Sequence, residues 1–191
     1  MATEVIILYK GNAEVKSRLK DILTVEERIL LNKRILDKTV KILKEIKEID
    51  LITVLSKSCF SYDGVNVVND KFEQLNKSID FLVKNSDSEF FLIIPSDLAY
   101  ISYEDLLYLI SLRHSNDIIL VCAKDNGTNG ILYHKNNFIG HHFGEDSCRI
   151  FFNEAKLKGR NVKRIKLNSL LYDLDSVADY YNYLKIEKGY E

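Results

Sequence analysis

Hydrophobic and polar positions along the chain fall into two alternating textures. Short apolar runs read as strands: EVIILY at 4–9, LITVLS at 51–56, VNVVN at 65–69, FFLIIP at 90–95, IILVCAKD at 118–125, GILYH at 130–134 and VKRIKL at 162–167. The most apolar of them lack a polar face and predict strands buried on both sides. Between them lie segments with helical spacing. Thr24 with Glu27 forms a capping-box pattern ahead of Leu30, Leu31, Ile35, Val40, Leu43 and Ile46. FEQLNKSIDFLVKN at 72–85, the segment after Ser102, FFNEAKL at 151–157 and VADYYNYL at 177–184 repeat the signal. Strand, crossover helix and strand in succession predict an α/β fold, a mostly parallel central sheet flanked by helices.

Composition narrows the class. With 191 residues and 46% apolar content, the chain can bury a full core, and one domain over 1–191 is expected. No apolar stretch is long enough to span a bilayer, and MATEVIILYK lacks a basic leader region, so a cytoplasmic protein without a membrane partner is expected. A net charge of -1 gives no dedicated nucleic-acid surface. Cys59, Cys122 and Cys148 are odd in number and widely spaced, which argues against a disulfide framework or a structural zinc site and makes Cys122 a small buried hydrophobe. Two basic clusters stand out. The stretch 156–167 reads as a helix end, a stop at Gly159 and an edge strand whose Lys163 and Lys166 discourage sheet-to-sheet pairing. Lys10, Lys16, Arg18 and Lys20 follow the first strand directly and share a sheet end with Asp97 if that strand is parallel.

Asp97 is the most informative position. Within EFFLIIPSDL at 89–98 the apolar run gives way to it, two residues beyond Pro95, the one proline of the chain. Proline cannot continue a central ladder, so the carboxylate is delivered to the carboxyl end of the sheet, where open α/β sheets bind ligands. Asp97 could instead cap the next helix, but Ser102 with Asp105 is the better start signal. Other candidates sit in connections. Gly127-Thr128-Asn129-Gly130 offers close backbone approach and polar side chains, or a plain hairpin turn. Phe143-Gly144-Glu145-Asp146-Ser147 precedes a helix and offers an anion site, or an ordinary cap. Asp173-Leu174-Asp175 points two carboxylates to one side of an extended segment, unless Asp175 is a cap. Carboxylates beside phosphate-seeking groups imply Mg²⁺ and phosphoryl or nucleotidyl transfer. The neighbours His141 and His142 point to opposite faces of an extended chain, which favours exposure or loop packing over metal ligation. The tyrosine-rich tail reads as a packing or dimer-contact helix.

PSDL at 95–98, GTNGIL at 127–132, FGEDS at 143–147 with Glu154-Ala155, DLD at 173–175, KSRLKDILTVEER at 16–28 and Leu75-Asn76 together resemble the ordered motifs of the 2-phospho-L-lactate guanylyltransferase family. That resemblance implies a glycosyltransferase-A-like nucleotidyltransferase fold, GTP and Mg²⁺, and a step in making coenzyme F-420 in which GMP joins 2-phospho-L-lactate, phosphoenolpyruvate or 3-phosphoglycerate. It also implies roles. Asp97, Asp173 and Asp175 hold the metal, and Lys16 with Asp97 serves catalysis. Lys10 and Arg18 sit near the nucleotide phosphates, while Asn76, Thr128, Asn129, Gly144 and Ser147 bind substrate. The chain departs from the family pattern at Leu8-Tyr9, Ala99-Tyr100 and Phe151. The glycine-rich loop of sugar-phosphate and molybdopterin nucleotidyltransferases is absent after the first strand, where only Gly11 stands.

Overall fold

All seven apolar runs enter one sheet, β1 (Thr3–Tyr9), β2 (Leu51–Ser56), β3 (Asn66–Asn69), β4 (Phe90–Pro95), β5 (Ile118–Cys122), β6 (Thr128–His134) and β7 (Val162–Ile165). The computed structural model describes residues 1–12 and 14–187. The strand order is β3-β2-β1-β4-β6-β5-β7, and every pairing is parallel except those of β6 with β4 and β5. The mostly parallel sheet expected from the sequence is present. Helices α1 (Val25–Glu45) and α3 (Tyr103–Ser111) cover one face, with Leu36, Val40, Leu106 and Leu109 against Val5, Ile7, Leu92 and Ile94. Helices α2 (Leu75–Asn85) and α4 (Ser147–Leu157) cover the other, where Ile79, Val83, Phe151 and Ala155 meet Ile6, Phe91 and Ile93. A further helix, α5 (Val177–Glu187), follows β7.

The caps resolve two ambiguities of the sequence. Ser102 accepts a hydrogen bond from Asp105 N at 3.3 Å, so α3 is capped without Asp97. Ser176 accepts from Asp179 N at 3.2 Å and donates its own N–H to the Asp179 carboxylate at 2.7 Å, so α5 is capped without Asp175. Both aspartates are thereby left for other work.

Chain order at β1 sets the location of a site. From β1 the chain winds outward through β2 and β3, then returns to add β4 on the other side, with Leu8 opposite Pro95. This reversal opens a crevice outside the carboxyl ends of β1 and β4. Because β6 runs backwards, its first residues, Thr128 and Asn129, lie at that same end.

To bring the start of α4 there, the segment from Lys135 to Asp146 must climb the whole sheet. His141 pins it: 5% exposed, the ring lies 2.6 Å from an Asp80 carboxylate oxygen and 2.9 Å from the Tyr133 hydroxyl. Burial pushes the His141 pKa down despite Asp80, so the neutral ring donates Nδ1–H to Asp80 and accepts from Tyr133. The expectation of loop packing for His141 is met, through burial. His141→Leu is expected to cost about 1–3 kcal/mol by orphaning the Tyr133 hydroxyl, read as a lower Tm with the sheet intact by circular dichroism.

One cysteine expectation is corrected. Cys122 and Cys148 are joined as a disulfide, Cα atoms 5.6 Å apart, and Cys59 is exposed. The end of β5 and the first turn of α4 meet there, a contact of the folded topology that separation by 26 positions conceals.

Candidate active site

Three separate segments converge on the crevice. The loop after β1 brings Lys10, Lys16 and Arg18, the turn after β4 brings Ser96 and Asp97, and the stretch before α5 brings Asp173 and Asp175. A small apolar cluster of Leu19, Leu31, Ile35, Ala99, Leu174 and Tyr183 holds the three together from beneath. Leu174 is fully buried at a bend between the two aspartates, and both carboxylates turn toward Asp97. Its N–H also donates to the Asp97 carbonyl at 3.1 Å. The departures Ala99 and Tyr100 join this support, Ala99 within the cluster and Tyr100 edge-on to Tyr183 with ring centroids 6.5 Å apart.

One oxygen each from Asp97, Asp173 and Asp175 lies within 4.8 Å of the others. Lys16 Nζ approaches Asp97 at 3.4 Å and Asp175 at 3.7 Å with only 2% of its side chain exposed, while exposed Arg18 reaches Asp175 at 3.6 Å. Burial, then the Asp97 charge, pushes the Asp173 pKa up to about 6. The same two causes raise Asp175 against the pull of Lys16 and Arg18. Carboxylates that resist ionisation together are stabilised by a cation between them, and hard oxygen donors suit Mg²⁺. Among the described residues this is the group whose side chains could share a metal.

The titration has opposite signs in two measurements. Asp173 binds its proton more tightly when folded, so its contribution to metal-free stability is full below pH 3.8 and lost as pH rises through about 6. A metal must displace that proton. Divalent-cation affinity is therefore expected to fall by about tenfold per pH unit once pH drops below Asp173's pKa, as followed by Mn²⁺ binding.

The local backbone is held in costly conformations. Lys16, Asn126 and Asp146 have positive φ values of 50°, 69° and 53°, and all three surround this end of the sheet. Such strain persists where surrounding contacts over-determine it. For Lys16 those contacts are Arg28 Nη1 donating to the Val15 carbonyl at 2.7 Å and the Lys16 carbonyl accepting from Leu19 N at 2.9 Å. Asn32, one helical turn after Arg28, donates to the Lys10 carbonyl at 3.0 Å. Sequence reasoning passed over both, although two polar residues four apart on the apolar face of α1 were a readable signal.

Of the remaining expected ligands, Asn76, Thr128, Asn129 and Ser147 bond to other protein groups. Both amide functions of Asn76 are engaged by the Phe143 backbone, at 3.1 and 2.8 Å, fixing the turn that leads to Gly144. Buried Asn129 donates to the Leu170 carbonyl at 2.9 Å. The Ser147 hydroxyl donates to Thr128 at 2.9 Å, and the two residues are 1% and 6% exposed. Gly144 is exposed with φ 142°. Lys10 lines a cavity of about 280 Å³ with Lys16, Arg18, Ser96, Asp97 and Asp175. A wider cavity of about 1040 Å³ adjoins it, lined by Arg18, Tyr100, Lys124, Asp173, Asp175 and Asn182 among others.

A carboxylate cluster facing a lysine-bearing loop across the switch point of such a sheet defines a nucleotidyltransferase. The fold agrees with the solved structure of a "putative nucleotide-diphospho-sugar transferase" from Desulfovibrio desulfuricans G20, with TM-score 0.81 and 13% identity over 100% of this chain and 97% of that one. Residues 3–183 match the family described as "Guanylyl transferase CofC like", and the chain belongs to that family. It is 29% identical to 2-phospho-L-lactate guanylyltransferase of Archaeoglobus fulgidus, over 92% of this chain and 80% of the relative. It is 27% identical to phosphoenolpyruvate guanylyltransferase of Roseiflexus castenholzii, covering 91% and 84%. Identity to 3-phospho-D-glycerate guanylyltransferase of Colwellia psychrerythraea is 26%, covering 94% and 90%.

Proposed function

We propose that the protein transfers GMP from GTP to a small phosphorylated carboxylic acid, 2-phospho-L-lactate, phosphoenolpyruvate or 3-phosphoglycerate, with release of pyrophosphate, as a step in coenzyme F-420 formation. The observation that carries this reading is the convergence of Asp97, Asp173 and Asp175 on buried Lys16 at the sheet's switch point. Family membership and the three relatives support the guanylyl donor and the acceptor class.

The three carboxylates would hold Mg²⁺, which when bound neutralises triphosphate charge. Lys16 and Lys10 face the phosphates from the loop after β1, with Lys16 placed to offset charge building on the departing pyrophosphate. An acceptor phosphate oxygen attacks the α-phosphorus in line; the new O–P bond forms as the bond to the β-phosphate oxygen breaks. A phosphomonoester is largely dianionic at neutral pH, its second pKa being about 6. The nucleophile therefore needs no general base, in keeping with a site built from carboxylates and lysine rather than histidine.

The test is to supply GTP and Mg²⁺ with each of the three acids separately. Pyrophosphate release that depends on one of them is the expected result. GTP binding without pyrophosphate in any mixture would instead mark a nucleotide-binding homologue.

A further inference from the structure

The disulfide between Cys122 and Cys148 opens onto a cavity that Asp97, Asp173 and Asp175 do not line. The cavity measures about 700 Å³ and lies where β5 and β7 end beneath the first turn of α4, with both cysteines in its wall. The two residues are not equally reachable. Cys148 is 3% exposed, whereas Cys122 is half-buried, so an incoming nucleophile meets Cys122.

The charge around the pair is one-sided. Lys124, Arg149, Arg164 and Lys166 line the same cavity. The single carboxylate in its wall, Asp146, already pairs with Arg149. Lys124, Arg164 and Lys166 form no ion pair among the described residues. Along β7 the two-residue period puts Arg164, and Lys166 just beyond the strand, on the face of Val162, which packs with Cys148, Phe151 and Ala155 of α4. Arg164 is braced there, its guanidinium 4.2 Å from the centroid of the Phe152 ring. Cations gathered around one space raise the local concentration of anions. Thiol–disulfide exchange calls for an anion of one kind, because the attacking species is a thiolate. Cys148 suits the part of leaving group: it stands in the first turn of α4 beside Arg149, and a helix N-terminus with cations at hand stabilises a sulfur that departs as an anion.

We propose that Cys122 is a site of reversible modification by low-molecular-weight thiols that carry a further negative charge, with the basic cavity as their docking space and Cys148 as the resolving thiol. The ligand's thiolate attacks Cys122 Sγ; the new S–S bond forms as the bond between Cys122 and Cys148 breaks, and the electron pair leaves on Cys148. Return attack by Cys148 expels the ligand thiolate and restores the disulfide. A second ligand thiolate attacking the ligand sulfur of the mixed disulfide instead releases the ligand as its own disulfide. Two ligand thiols are then oxidised, and the cysteine pair has gained two electrons and two protons. The exchange unties the end of β5 from the first turn of α4.

The test uses the full chain carrying Cys59→Ser, which removes the exposed third thiol. Opening of the disulfide is timed with 2-mercaptoethanesulfonate, 2-mercaptoethanol and cysteamine, an anionic, a neutral and a cationic thiol, with each rate referred to the thiolate present. The anionic thiol is expected to react about tenfold or more faster than the neutral one at low salt, the cationic one slower still, with the differences shrinking as salt rises. Arg164→Gln/Lys166→Gln is expected to bring the anionic and neutral rates to within about threefold while leaving the neutral rate unchanged. Equal rates for the three thiols at low salt, or an anionic advantage that survives loss of both cations, would overturn the docking space. Cys148→Ser treated with the disulfide of 2-mercaptoethanesulfonate is expected to carry one ligand on Cys122 by mass spectrometry, and Cys122→Ser none on Cys148. Ligand on Cys148 but not on Cys122 would overturn the assignment of the modified residue.

Discussion

Asp97→Asn is expected to lower kcat by about 10²–10³-fold, the range lost when one preorganised charge-stabilising group is removed. The replacement keeps the shape of the side chain, and the contact that ties this turn to the strand before α5 uses the Asp97 backbone carbonyl, accepting from Leu174 N at 3.1 Å. The fold is therefore expected to survive, with a melting temperature close to that of wild type. Mn²⁺ affinity should fall with turnover, because one of three converging carboxylates is gone. The Asp97 charge is also the second cause of the raised Asp173 pKa, after burial. Its removal should move the pH at which metal affinity declines to a lower value. A merely structural ion pair with Lys16 would give the reverse pattern, lost stability with preserved turnover.

The second large effect is at Lys16. Lys16→Gln is expected to lower kcat/KM for GTP by about 10²-fold, because the ammonium is a buried cation that faces the carboxylates and lines the cavity of about 280 Å³. Lys16→Arg is not expected to rescue it. A planar fork of donors does not reproduce the compact point charge that Lys16 sets between Asp97 and Asp175. Combining Lys16→Gln with Asp97→Asn should cost less than the product of the two single effects, since the groups act as a unit. Strict multiplicativity would mean that they serve separate steps.

The order of elements was legible because every link rests on local chemistry. Apolar runs of strand length marked the sheet, Thr24 with Glu27 and Ser102 with Asp105 marked two helix starts, and Pro95 marked the end of β4. The carboxylate cluster was legible for a related reason: Asp173 and Asp175 alternate around Leu174, and Asp97 follows a strand that has to stop. What stayed hidden depends on contacts distant in the chain. The 26-position separation of Cys122 and Cys148 gave no sign that the β5 end meets the α4 start. Asn76 looked like a ligand beside a leucine, whereas its amide is occupied by the Phe143 backbone, 67 positions away. Thr128 and Ser147 likewise turned toward each other across 19 positions. Lys163 and Lys166 were readable as edge protection, whereas the cavity under α4 that Lys166 lines exists only after β7 has paired with β5. Local pattern thus predicts elements and their ends, while side-chain roles within connections follow from topology.

The proposed reaction is attack on the α-phosphorus of GTP at the Asp97, Asp173, Asp175 and Lys16 site. Parallel reactions with GTP radiolabelled at the α- or the γ-phosphate, each with Mg²⁺ and the active phosphorylated acid, test it directly. The α-label is expected to enter the acid product and the γ-label to leave in pyrophosphate. Transfer of γ-label to the acid, or α-label left in guanosine nucleotide with every acid supplied, would contradict it.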